Sequence, residues 1–235
     1  MEGMSCEIIT NLYRVSSCNN AITNYVDIQQ NYLLASNNDG VVRKFHLPTM
    51  DSLSSTTFEY CINNAAMQPN GGKLMAVIGD AYDVVVCEQD GNKSSTMKLK
   101  GHMDYSFALD WNPINPNQFA TGSQDRMTCV WDIRKPSGPI VMIPSILGAV
   151  RSVRFSEDGQ FLAASEPADF VHIYDVNNNY AKEQILDVFG EVVGIAFSKK
   201  DGGRSLYVGL YDKQFRSMME FSRFSTSNNL DEVVI

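Results

Sequence analysis

The 235-residue sequence contains no apolar run that approaches the roughly 18–20 residues needed to span a bilayer. Its first ten residues lack both a basic start and a long apolar stretch, which argues against a secretory leader. No lysine- or arginine-rich run occurs, and 27 acidic residues outnumber 19 basic ones for a formal charge of -8. Such a chain repels phosphate backbones, so direct nucleic-acid binding is not expected. The five cysteines, Cys6, Cys18, Cys61, Cys87 and Cys129, form no C-x-x-C pair. They read as reduced core residues, which suits a cytoplasmic or nuclear setting. The three histidines, His46, His102 and His172, have no metal-ligand spacing, so neither a metal nor a cofactor is expected. Gly71-Gly72 and Gly202-Gly203 precede apolar strands and no G-K-[ST] follows, which makes them turn glycines rather than phosphate loops. Helical periodicity is missing as well.

What is present is a repeat. Short apolar segments are punctuated by polar turns, and an aromatic or apolar marker recurs at Phe45, Cys87, Trp131, Tyr174 and Met219, with spacings of 42, 44, 43 and 45 residues. Before four of these markers lies a small-residue strand: Leu33–Ser36, Leu74–Val77, Phe119–Thr121 and Phe161–Ala164. Runs of this kind suit strands buried on both faces. A period of roughly 40–45 residues with about four strands per unit is the signature of propeller blades, whereas a sandwich needs no equal spacing. The expected fold is an all-β propeller of about five four-stranded blades over residues 21–224. A strand and linker at 1–20 precede it, and a Ser/Asn-rich tail at 225–235 follows. The strand-like segment Glu7–Val15 is placed to serve as an outer strand of a neighbouring blade. An arc whose further blades precede Met1 is preferred over a closed ring of five.

The third unit carries Gly101-His102, Asp110-Trp111, Ala120-Thr121-Gly122-Ser123-Gln124-Asp125 and Val130-Trp131-Asp132. In this order it resembles the WD40 repeat. Phe45-His46, Cys87-Glu88 and Met219-Glu220 stand at the degenerate equivalents of Trp-Asp. The stretch from about Gly101 to Phe224, with Ser165–Ile173 and Phe189-Gly190-Glu191, resembles an uncharacterised group of plant and fungal WD-repeat proteins. The WD40 resemblance implies a buried hydrogen-bonded set of His102, Thr121, Asp125 and Trp131. A buried carboxylate needs such partners. A hydrolase reading of His102, Thr121 and Asp125 is disfavoured, because Thr121 lacks a strand–turn–helix elbow. The fourth unit has Ala164 in place of the threonine and no preceding histidine, so it is expected to rely on apolar packing.

Propellers present their recognition residues on loops at one end. The positions that align there are Tyr105, Phe107, Gln124, Arg151, Pro167, Glu191 and Tyr211, with Asn24, Asn38 and Asn63 from the first two units. Tyr, Phe and Arg are favoured interface anchors. Asp80, Asp83, Asp212 and Glu191 read as solvated turn acids, and Met218-Met219 as core. The expected role is a non-catalytic scaffold for other proteins or peptide motifs, with no direct nucleic-acid or membrane contact. The alternative is a ligand-binding or hydrolytic propeller that uses carboxylates at the channel mouth.

Overall fold

The structure is a computed structural model that describes residues 22–90, 96–211, 216–225 and 231–234. Four strand groups follow one another as antiparallel meanders. The first sheet holds β1 (Thr23–Gln29), β2 (Tyr32–Asn37), β3 (Val41–His46) and β4 (Asp51–Thr57). The second holds β5 (Ile62–Met67), β6 (Leu74–Gly79), β7 (Val84–Glu88) and β8 (Met97–Leu99). The third holds β9 (Ser106–Trp111), β10 (Gln118–Ser123), β11 (Met127–Asp132) and β12 (Val141–Pro144). The remaining seven strands join into one sheet: β13 (Ser152–Phe155), β14 (Phe161–Ser165), β15 (Ala168–Asp175), β16 (Glu183–Phe197), β17 (Ser205–Tyr211), β18 (Arg216–Ser225) and β19 (Asp231–Val234). Helical structure among the described residues is a short 3-10 turn at Val176–Asn178.

The seven-stranded sheet is two blades sharing a strand. The first half of β16 pairs with β15 through Glu183–Asp187, and its second half pairs with β17 through Val192–Phe197. β16 is therefore the outer strand of a fourth blade and the inner strand of a fifth. All five markers fall on third strands: Phe45 on β3, Cys87 on β7, Trp131 on β11, Tyr174 on β15 and Met219 on β18.

The core lies between blades. Because side chains alternate along a strand, Trp111, Phe119, Cys129 and Trp131 face the second sheet with Ala76, Ile78 and Val86. The intervening Ala108, Ala120 and Val130 face the fourth with Val153, Leu162 and Tyr174. The same arrangement joins first to second sheet around Leu34, Val42 and Met75, and fourth to fifth around Val171, Leu186 and Val208. Inner strands β1, β5, β9, β13 and β16 pack side by side in that order. Among the described residues, β16, β17 and β18 do not pack against β1 or β2 as successive blades pack against one another, so the described blades form an open arc, an incomplete propeller. Cys61, Cys87 and Cys129 are in no disulfide, Cys87 and Cys129 being buried and Cys61 partly buried; Cys6, Cys18 and Glu7–Val15 lie outside the described residues.

Two expectations are corrected. The stretch taken as a tail at 225–235 includes β19, which pairs with Ser222–Ser225 of β18 as a fourth strand. Met219 packs against the fourth–fifth core, but Met218 is 73% exposed, as strand alternation requires of its neighbour. His172, on β15, is buried at 2% exposure.

Candidate interaction surface

In a four-stranded meander, the turn between second and third strands lies at the same end as the links to neighbouring blades. Residues of these turns and links touch one another from blade to blade. Asn63 Nδ2 donates to Asp80 Oδ1 (3.0 Å) and to the Ser106 carbonyl (3.1 Å). The Tyr82 and Tyr105 rings lie 6.1 Å apart. The Arg151 guanidinium sits 4.0 Å over the Phe107 ring and donates to Gln124 Oε1 at 3.3 Å. The Gln124 N–H donates to the Tyr105 carbonyl at 2.8 Å. Tyr105, Phe107, Gln124 and Arg151 are thus brought together as one contiguous group. Its aromatic–guanidinium contact is of a kind worth about 0.5–1 kcal/mol at an exposed site.

Pro167, Glu191 and Tyr211 form a second group beside the fifth blade. The Pro167 carbonyl accepts the Val192 N–H at 3.0 Å, and Glu191 lies opposite both Ala168 and Tyr211 in the sheet. Asn24 and Asn38 are tied into the scaffold, donating to the Ile62 carbonyl (2.8 Å) and accepting from the Ile22 N–H (2.7 Å). Sequence alignment missed the large apolar side chains on the same end: Met103 at 79% exposure, Phe189 at 86%, and the exposed Tyr82, Ile146 and Leu147. Apolar residues inside polar links were the available signal. Asp212 lies outside the described residues.

Beneath the surface, the third blade is locked by the set implied for it. Trp131 Nε1 donates to Thr121 Oγ1 at 2.8 Å, Thr121 lies 2.7 Å from His102 Nε2, and His102 Nδ1 donates to Asp125 Oδ2 at 2.9 Å. Asp125 also accepts the Met103 and Met127 N–H groups. Burial pushes its carboxyl up, but these hydrogen bonds outweigh burial and hold it below the usual carboxylate range. Gly101 precedes His102 because a Cβ there would stand 2.8 Å from Trp131 Cη2. With Thr121 fully buried, the set is a structural knot closed to substrate.

The fourth blade is the principal correction. It does not rely on apolar packing alone. Glu166, fully buried in the turn after β14, accepts the Ile146, Leu147 and Gly148 N–H groups at 2.6 Å each. His172 Nε2 lies 2.9 Å from Glu166 Oε1, and its Nδ1 lies 2.7 Å from Glu183 Oε1. Burial raises the Glu166 carboxyl, yet the three backbone donors and His172 more than offset it and leave it lowered. A common position explains the substitution. In the first, third and fourth blades, the third-strand residue two before the marker lies beside the turn acid or its partner: Arg43 bonds Asp39 with both guanidinium ends (2.8 and 3.2 Å), Cys129 touches His102 at 3.8 Å, and His172 bonds Glu166. The turn acid is satisfied from the link in the third blade, from the third strand in the first, and from both in the fourth.

At the centre of the arc, Arg154 Nη2 donates to Tyr25 OH at 2.9 Å, joining the fourth blade to the first. Asp27 and Asp110 occupy matching places, opposite Leu34 and Ala120, and each accepts a backbone N–H of the next blade, Met67 at 2.8 Å and Phe155 at 2.7 Å. Burial, partly countered by Arg154, pushes Asp110 up to about 6, and Asp27 is raised for the same first cause. A raised folded value means stability fully present below the unfolded value and lost as pH rises through about 6. The lowered Asp125 and Glu166 do the reverse, losing their contribution as pH falls below the ordinary carboxylate range. Denaturant midpoints are therefore expected to peak near the ordinary carboxylate range and to decline from there to about pH 6, with Asp110→Asn flattening the decline. A midpoint that rises steadily to pH 8 in the unaltered chain would contradict this.

Among the described residues, no group of three or more His, Cys, Asp or Glu side chains could hold a metal ion, and no helix is long and apolar enough to cross a membrane.

Radially stacked four-stranded sheets with a loop-built end define a β-propeller repeat protein. Residues 93–132 match the model described as "WD domain, G-beta repeat", and residues 148–187 match one described as "Uncharacterised protein domain (DUF2415)". The chain is 27% identical to the histone acetyltransferase type B subunit 2 of Schizosaccharomyces pombe, over 52% of this chain and 32% of that protein. It is 23% identical to the GATOR2 complex protein Wdr59 of Drosophila melanogaster, over 69% of this chain and 16% of the relative. It is 28% identical to THO complex subunit 3 of Arabidopsis thaliana, over 49% and 36%. Each alignment therefore spans little more than a third of the relative's length, or less. Residues 93–132 thus match a WD40 repeat, and the chain is similar along part of its length to proteins of complexes in three organisms.

Proposed function

We propose that this chain is a non-catalytic scaffold that holds other proteins or peptide motifs on the turn-and-link end of its blades. The observation that carries the reading is the contiguous group of Tyr105, Phe107, Gln124 and Arg151, flanked by exposed Tyr82 and Met103. Large exposed apolar side chains cost solubility and persist where a partner covers them. Relatives whose names describe subunits and complex proteins support the same reading. A cytoplasmic or nuclear setting and the absence of direct nucleic-acid or membrane contact belong to it, on the acidic charge of -8. The channel-mouth hydrolase gains nothing from Asp110, whose carboxylate is engaged by the Phe155 N–H in the seam between blades.

The double variant Tyr105→Ala/Arg151→Glu is expected to keep its melting temperature and to lose proteins that co-purify with the unaltered chain. Affinity purification of both, with identification of the eluates, is the measurement. An unchanged set of partners places the binding surface elsewhere.

A further inference from the structure

We infer that the turn-and-link end receives a basic segment bearing bulky apolar side chains. This rests on the reading of that end as the binding surface and adds the chemistry of its occupant. Two independent distributions point to it.

The first is apolar. Tyr82, Met103, Tyr105, Ile146, Leu147 and Phe189 are all exposed on links and turns of this end. On the loops of the opposite end, the exposed large apolar side chains among the described residues are Ile114 and Ile140, the second only marginally so, with Ile28 exposed near the end of β1. Two of the six are also held in place from below. The Glu166 carboxylate binds the backbone that presents Ile146 and Leu147, so these side chains stand on a rigid base. Preorganised apolar anchors are what a partner's apolar residues pack against at low entropic cost.

The second is charge. Asp39, Asp125 and Glu166 are engaged by Arg43, His102 and His172. Glu59, Asp80, Asp83, Asp104, Asp169 and Glu191 remain on the same links and turns, against Lys100, Arg126 and Arg151. The Arg151 guanidinium is itself spent on Phe107 and Gln124. Lys73, Lys135, Lys182, Lys199 and Lys200 all lie on the loops of the opposite end. The binding end therefore carries a negative field around apolar anchors. Such a field steers cationic partners and turns away anionic ones.

The test uses three labelled synthetic peptides with the full chain: one alternating lysine and arginine with leucine and phenylalanine, one with glutamate in place of the cations, and one with serine in place of the apolar residues. Fluorescence anisotropy is expected to rank the first at least about tenfold tighter than the other two and to weaken it as salt screens the pair. Two triple variants are then titrated, Asp83→Lys/Asp104→Lys/Glu191→Lys and Tyr82→Ser/Met103→Ser/Phe189→Ser. Each is expected to lose about tenfold or more, by removing attraction or anchors. Thermal melts verify that both still fold. Preference for the acidic peptide, equal binding of the serine peptide, or no binding of any peptide overturns the inference. None of those results touches the scaffold reading, which the co-purification of the Tyr105/Arg151 variant decides. Tight binding of the basic peptide that neither triple variant weakens overturns the inference too, and counts against this end as the binding surface.

Discussion

Glu166→Ala is expected to destabilise the chain by about 3–5 kcal/mol, the scale of several buried donors losing one shared acceptor. The carboxylate is fully buried and accepts four hydrogen bonds, from Ile146, Leu147, Gly148 and His172. Removing it leaves three aligned N–H groups without their acceptor and His172 with Glu183 alone. Each orphaned buried group costs about 1–3 kcal/mol, although the exposed flanks of Ile146 and Leu147 let water reclaim part of that. Glu166→Gln separates the causes. It keeps the volume and one acceptor oxygen but turns an NH2 toward donors, so an intermediate loss is expected. Urea unfolding of the three proteins provides the numbers, and a loss below about 1 kcal/mol for the alanine variant would show that the network is ornamental. The effect reaches the binding surface as well. Amide exchange at Ile146, Leu147 and Gly148 is expected to accelerate before global unfolding, because the link loses its anchor.

The second large effect is expected at Trp131. Trp131→Ala should cost about 3–5 kcal/mol, through the cavity and lost contacts of a large buried aromatic. Its indole is fully buried, stacks with Phe119 at 6.2 Å, meets the His102 ring edge-on at 5.9 Å and donates to Thr121. Trp131→Phe keeps most of the apolar contact and loses only the N–H. A smaller loss of about 1–2 kcal/mol is expected, because Thr121 still has His102 as a partner. Thermal denaturation followed by circular dichroism compares the pair. Equal losses in both variants would mean that the hydrogen bond, and not the filled volume, holds the seam. The two tryptophans, Trp111 and Trp131, both lie between the second and third blades, so intrinsic fluorescence reports on that seam in other variants.

Much of the architecture was legible in the chain. The markers Phe45, Cys87, Trp131, Tyr174 and Met219 all fall on third strands, because alternation and turn chemistry act within a few residues and repeat at each blade. His102, Thr121, Asp125 and Trp131 were legible for a related reason: they lie inside a single unit in a recognisable order. The fourth blade was misread because its histidine had moved. His172 sits on the third strand, six residues after Glu166, and not in the link where the third blade keeps His102. A lone histidine in the apolar run Val171–Ile173 was the clue, and its meaning depends on which side of β15 faces the turn.

The number, order and spacing of strands, and their burial on both faces, were determined by the amino-acid sequence, since period-two patterning and turn residues are local properties. Only the tertiary structure decided which polar side chains meet. Arg154 with Tyr25, Asp110 with Phe155, and Arg151 with Phe107 each join residues some 44 to 129 positions apart. Such contacts exist only once neighbouring sheets have stacked in register, and no local pattern encodes the angle at which one blade leans on the next.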